Sequence, residues 1–187
     1  MLRNPILFGA FQRHSDTIGK SMQHILPSVE EGARLITTAI KSRRTVFMCG
    51  NGGSAADSQH FATELVARYK KNRTALRAIA LTTDSSALTA IGNDYGFENI
   101  FKRQIEALGR PGDVLVAFST SGSSPNVLHA IQQAKKQKMK IVALTGEKGV
   151  SLKKISDVCV IVPTAETARI QEVHQLIYHA WCEYIDS

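Results

Sequence analysis

Five short apolar runs, each closed by a turn signal, punctuate the chain: TVFMCG (45–50), RAIALT (77–82), DVLVAFS (113–119), KIVALTG (140–146) and VCVIVP (158–163). They are almost continuously hydrophobic rather than alternating, which is the pattern of strands buried on both faces of a parallel sheet. Between them lie helix-patterned segments at 55–69, 85–91 with 100–108, 125–137, and a short one near Leu152. Strand and helix in alternation call for right-handed crossovers. The expected fold class is therefore α/β, a three-layer αβα sandwich around a five-stranded parallel sheet.

The first 44 residues carry no strand signal, and Pro27 divides them into two helical stretches as the opening residue of the second. A last helix over 167–184 has Ile170, Val173, Ile177, Ala180 and Trp181 at helical spacing. The 187 residues read as one domain, with N-terminal helices over 1–44 and the αβα core and C-terminal helix over 45–187. Helices outside the sheet at both ends have second apolar faces that need a cover, so self-association is expected.

The formal charge of +7 comes from Lys and Arg spread along the chain, with short clusters at 41–44, 69–73 and 134–140. Without zinc spacing or stacking aromatics these read as solvated faces, so no nucleic-acid partner is expected, and the charge suits anionic small molecules. Three cysteines, an odd number without C-x-x-C spacing, fit a reducing compartment. The opening apolar run is too short for a secretory signal, and no stretch approaches the roughly 18 apolar residues of a membrane span. A cytoplasmic protein with no membrane partner is the expectation.

Ligands of open parallel sheets bind beyond the carboxyl ends of the strands, so the loops there carry the functional reading. After the first run, Asn51, Gly52, Gly53 and Ser54 permit a tight turn and leave N–H groups and a hydroxyl at a helix start, an anion site. The run matches neither G-x-G-x-x-G nor G-x-x-x-x-G-K-[ST], so no nucleotide cofactor is expected. After the third run, Ser119, Thr120, Ser121 and Ser124 precede a helix that begins near Pro125. They suit a phosphate monoester, or equally an ordinary serine-rich turn with Ser124 as N-cap. After the second run, Asp84 reads as an N-cap and Asp94 lies in a Gly-Asn-Asp-Tyr-Gly turn, either structural or lining the site.

His60 and Glu64 are four apart on the helix leading away from the first loop, and Arg68 would continue that face. The last helix supplies Gln171, Glu172, His174, Gln175 and His179, with Gln171 and His179 about 12 Å apart along the axis. His174 reads as a packed histidine. Two His, a Glu and a Gln admit zinc or another divalent ion, although no H-E-x-x-H spacing singles one out.

Together CGNGGSAADSQHFATEL (49–65), AIGNDYGF (90–97), STSGSSPNV (119–127), ALTG (143–146) and RIQEVHQLIYH (169–179) resemble the phosphoheptose isomerase family of sugar isomerase (SIS) domains, from about residue 30 to the C-terminus. The resemblance implies a flavodoxin-like SIS fold and a homotetramer with sites at subunit contacts. It also implies conversion of sedoheptulose 7-phosphate to D-glycero-manno-heptose 7-phosphate, the first step of nucleotide-activated heptose biosynthesis. By the same carry-over Ser54, Ser119, Thr120, Ser121 and Ser124 bind phosphate, and the loop and helix positions read above add Asn51, Gly52, Gly53, Arg68, Asp94 and Gln171 to the expected substrate site. His60, Glu64, Gln171 and His179 match zinc ligands, one ion per subunit, and Glu64 and His179 match the acid/base pair. Some family members have an aspartate where this chain has Ala168, with Glu166 close by.

Such a reaction needs a base that removes a proton from C1 and returns one at C2 through an enediol, a role expected of Glu64 with His179 as partner acid. Zinc would polarise the carbonyl. The rival expectation is a non-catalytic adaptor that binds a replication initiator, or a sugar-phosphate sensor; such adaptors lack the helix glutamate and the last histidine.

Overall fold

The computed structural model describes residues 4–187, so the first three residues of the expected N-terminal helical segment lie outside it. Two helices, α1 (Pro5–His24) and α2 (Leu26–Lys41), precede the first strand. The order then runs β1 (Val46–Cys49), α3 (Gly53–Val66), β2 (Ala78–Ala80), α4 (Ser85–Tyr95), α5 (Ile100–Leu108), β3 (Val114–Ser119), α6 (Pro125–Lys136), β4 (Lys140–Gly146), β5 (Val158–Val162) and α7 (Thr167–Asp186). The short segment expected near Leu152 is a kinked 3-10 stretch, Glu147–Lys154.

All five strands are parallel, in the order β2-β1-β3-β4-β5. Each apolar run feeds two cores because successive residues point to opposite faces. Val46, Met48, Val116 and Phe118 pack on one side under α2, α3 and α7, with Phe61, Leu65, Tyr178 and Trp181. Phe47, Cys49, Leu115 and Ala117 pack on the other with Phe101 and Ile105 of α5 and Ile131 of α6. Near-continuous hydrophobicity thus reports a sheet covered on both faces, as expected.

Close helix contact fixes the first layer. A Cβ on Gly32 of α2 would come within 2.7 Å of the Trp181 ring, and the indole N–H donates to the Val29 carbonyl at 2.8 Å. Alpha-helix α3 and α7 run parallel in a constant register, Gly53 beside Gln171 and His60 beside Tyr178, an offset of 118 residues in both places.

Two local expectations need correction. The segment read as 55–69 begins two residues earlier and stops at Val66, so Arg68 lies in the following exposed loop instead of continuing the His60 face. The cause is Arg73, whose guanidinium donates to the carbonyls of Glu64 and Leu65 at 2.9 Å each and closes the helix end. Asp94 lies inside α4 and not in a turn, because α4 continues to Tyr95 before Gly96 breaks it with φ +85°. Asp84 does cap α4, its carboxylate accepting from the Ala87 N–H at 2.9 Å.

Candidate active site

Strands β1 and β3 are neighbours whose following connections leave in opposite directions, so the crevice between their carboxyl ends is the topological switch point of the sheet. Both informative loops stand there. After β1 the backbone turns through Gly52, whose φ of +56° suits glycine, into α3 with no side-chain cap. That leaves the positive end of the α3 dipole facing the crevice. A Cβ at Gly53 would fall 2.5 Å from the Gln171 amide, so glycine there is what lets α7 approach the loop.

The serine loop after β3 is internally organised. Ser119 Oγ accepts from the Gly122 N–H at 3.1 Å and lies 3.3 Å from Ser124 Oγ, while Ser121 Oγ accepts from Ser123 Oγ at 3.0 Å. Ser124 is the N-cap residue of α6 but makes no capping bond through its side chain, so its hydroxyl stays turned toward the loop. Thr120 and Ser121 are at least partly open to solvent, whereas Ser54 is only 3% exposed in the single chain.

Asn51 and Asn126 join the two loops by a reciprocal amide pair, 2.9 and 2.8 Å. The Asn51 side chain is therefore engaged in holding the loops at fixed separation. Asn126 escaped the sequence reading, though its place directly after Pro125 at the loop exit was the available signal.

Two turns along α3 the titratable residues meet. His60 Nε2 lies 3.0 Å from Glu64 Oε1 and 3.5 Å from His179 Nε2. One donor atom from each of the three residues lies within 4.8 Å of the others. Glu64 keeps only 18% of its side chain exposed. Tyr69 stacks on the His179 ring at 5.5 Å, and burial, followed by the charge of His60, lowers the His179 pKa. On its far side His60 meets Tyr178 Oη at 2.9 Å through Nδ1.

Not every expected residue joins this group. Gln171 is at Gly53, about 10 Å back along α3 by helix rise, so one chain assembles three of the four expected metal donors. Arg68 and Asp94 are exposed on their own segments, Asp94 accepting from Asn93 Nδ2 at 2.8 Å. Ala168 is exposed, and Glu166 pairs with Arg13 of α1 at 3.1 Å. A cavity of 490 Å³ between α2 and β5 contains none of the loop or titratable residues named above. The crevice is an open edge that places the glycine and serine loops at one end and a His/Glu/His cluster at the other.

The family model described as SIS domain matches residues 11–146. The chain is 50% identical over 176 residues to the phosphoheptose isomerase of Campylobacter jejuni subsp. jejuni serotype O:6, covering 94% of each protein. Among solved structures it is similar to a phosphoheptose isomerase from Neisseria gonorrhoeae, with a TM-score of 0.90, 43% identity and coverage of 96% of both chains. A phosphoheptose isomerase from Francisella tularensis is similar at a TM-score of 0.95 and 35% identity, over 100% of this chain and 99% of that one.

Proposed function

Because this chain belongs to the phosphoheptose isomerase family of SIS domains, we infer that it is an aldose-ketose isomerase converting sedoheptulose 7-phosphate to D-glycero-manno-heptose 7-phosphate. The observation that carries the reading is the meeting of His60 and Glu64 of α3 with His179 of α7, on a helix whose start faces the glycine and serine loops. The phosphate takes the α3 N-terminus and the hydroxyls of Ser119, Thr120, Ser121 and Ser124, with Gly52, Gly53 and Ser54 forming the opposite wall. The sugar chain then extends along α3, its carbonyl end beside Glu64. Arg68 and Asp94, exposed in one chain, serve the substrate of a neighbouring subunit.

Glu64 is the base that takes a proton from C1, exchanges it with solvent and returns one at C2 through the enediol. His179, whose pKa burial and then the charge of His60 lower, moves the oxygen-bound protons. Two imidazoles and a carboxylate within 4.8 Å are a donor set that fits zinc. Bound there, zinc supplies a Lewis acid that polarises the carbonyl. His60, Glu64 and His179 of one chain would hold it, and Gln171 of a neighbouring subunit of a homotetramer would complete the set. Among the described residues no helix is long and apolar enough to cross a membrane, and three free cysteines suit the cytoplasm.

Supplying sedoheptulose 7-phosphate and following aldose formation tests the reading. Glu64→Gln lowers turnover by about 10²–10⁴-fold at saturating zinc while the fold persists. Near-native turnover in that variant would exclude Glu64 as the base. A non-catalytic sensor would bind the ketose phosphate without forming aldose.

A further inference from the structure

Behind the His/Glu/His cluster is a buried polar pair that the isomerisation itself does not use. Tyr178 is wholly buried, its ring stacked on Phe61 at 5.4 Å and meeting Phe118 edge-on at 6.3 Å. Its hydroxyl is fixed by that packing against His60 Nδ1 at 2.9 Å. On the same side stands Asp57, one helical turn before His60 on α3 and only 8% exposed, with Oδ2 lacking a hydrogen-bond partner of good geometry among the described residues. The Asp57 carboxylate is nevertheless near enough to the Tyr178 hydroxyl for each to affect the other's ionisation.

A buried carboxylate oxygen without a partner is costly, and its retention calls for a state in which it is satisfied. The tautomers of His60 provide one. When Nε2 carries the proton, it donates to Glu64, and the Tyr178 hydroxyl donates to Nδ1; Asp57 is then left without a donor. When Nε2 offers its lone pair to a cation, the proton sits on Nδ1 and is donated to Tyr178 Oη. The hydroxyl proton must then find another acceptor, and the buried, unpartnered Asp57 carboxylate, one turn before His60 on α3, supplies one. Histidine ligands usually need such a partner on the second nitrogen to fix tautomer and ring orientation.

We infer that Tyr178 and Asp57 are positioning residues for His60, an Asp57–Tyr178–His60 hydrogen-bond relay that holds the imidazole with Nε2 free to bind a divalent cation beside Glu64 and His179. The inference rests on the zinc reading above. It adds that metal affinity depends on two residues that never touch the ion.

Chelator competition with zinc on the full chain tests this, alongside the thermal midpoint of the metal-free protein. Tyr178→Phe keeps the ring packing and removes only the hydroxyl, and its zinc affinity falls by about 10–100-fold. Asp57→Leu gives a similar loss, while Asp57→Asn, whose amide oxygen still accepts the hydroxyl proton, restores most of the affinity. Nitrogen-15 NMR of the zinc-loaded native protein shows His60 protonated at Nδ1, a readout that needs no variant to fold. Native affinity in Tyr178→Phe, or a His60 proton on Nε2 in the zinc-loaded protein, overturns the relay and leaves the zinc reading standing. If the native chain binds no zinc, both fall together.

Discussion

At Asp57 and His174 burial acts on opposite charges. Burial raises the Asp57 carboxyl to about 6 and lowers the wholly buried His174 imidazole to about 4. Below pH 6.5 the unfolded chain protonates its histidine before the fold does, so the His174 contribution is complete above that pH and is lost as pH falls toward 4, at up to about 1.4 kcal/mol per pH unit. Asp57 works in reverse, because between about 6 and 3.8 the fold binds a proton that the unfolded chain does not. The two partly cancel in the native protein. Urea unfolding of the metal-free chain from pH 7 to 4 therefore shows a steeper loss of stability in Asp57→Asn than in native protein, and a shallower loss would contradict these assignments. The His60 and Glu64 pair was legible because four residues on a helix determine a shared face. Tyr178 was not, since its meeting with His60 across 118 residues depends on the packing register of two helices.

Alpha-helix α3 is the element on which the site depends, and both of its ends are held by distant residues. At its start the Asn51 and Asn126 amides fix the spacing of the two loops. Asn126→Ala strands the Asn51 amide, at a cost of about 1–3 kcal/mol in stability. It also raises KM more than it lowers kcat, because phosphate binding is common to ground and transition states. At its end Arg73 bridges the Glu64 and Leu65 carbonyls to Asp186 of α7, at 3.0 Å from Asp186 Oδ1, with both side chains largely buried. Arg73→Met removes the charged partner of that carboxylate, which keeps the Lys70 and Lys71 N–H donors at 3.1 Å, and costs about 3–5 kcal/mol, whereas Arg73→Met with Asp186→Asn, whose amide oxygen still accepts from those two groups, recovers much of it. Denaturation midpoints of the native protein, the two single variants and the double variant check this, and additive losses would contradict it. Strand positions were legible to within a residue or two because the apolar runs end where the sheet does. The stop at Val66 was not, since the sequence gives no breaker there and the termination comes from Arg73.

On the scale of the whole molecule, the described surface leaves α1 with Ile6, Leu7 and Phe11 exposed, Leu176 exposed on α7, and α4 without one buried residue. These exposed apolar faces are what the proposed homotetramer would cover. Sedimentation is expected to give about four times the 20.5 kDa chain mass, and Leu176→Lys to give smaller species with reduced turnover, since the proposed shared site would then lose the neighbour's Gln171. A monomeric native protein with full turnover would contradict the shared site. The layered sheet and the loop that launches α3 were readable from alternation alone, but the assembly was not, because exposed apolar residues do not name what covers them. The most direct measurement of the central claim is one incubation with sedoheptulose 7-phosphate in deuterium oxide, followed by NMR. The native protein is expected to give an aldose heptose 7-phosphate carrying deuterium at C2, and Glu64→Gln to form it about 10²–10⁴-fold more slowly. No aldose from the zinc-loaded native protein, or equal rates from both proteins, would contradict it.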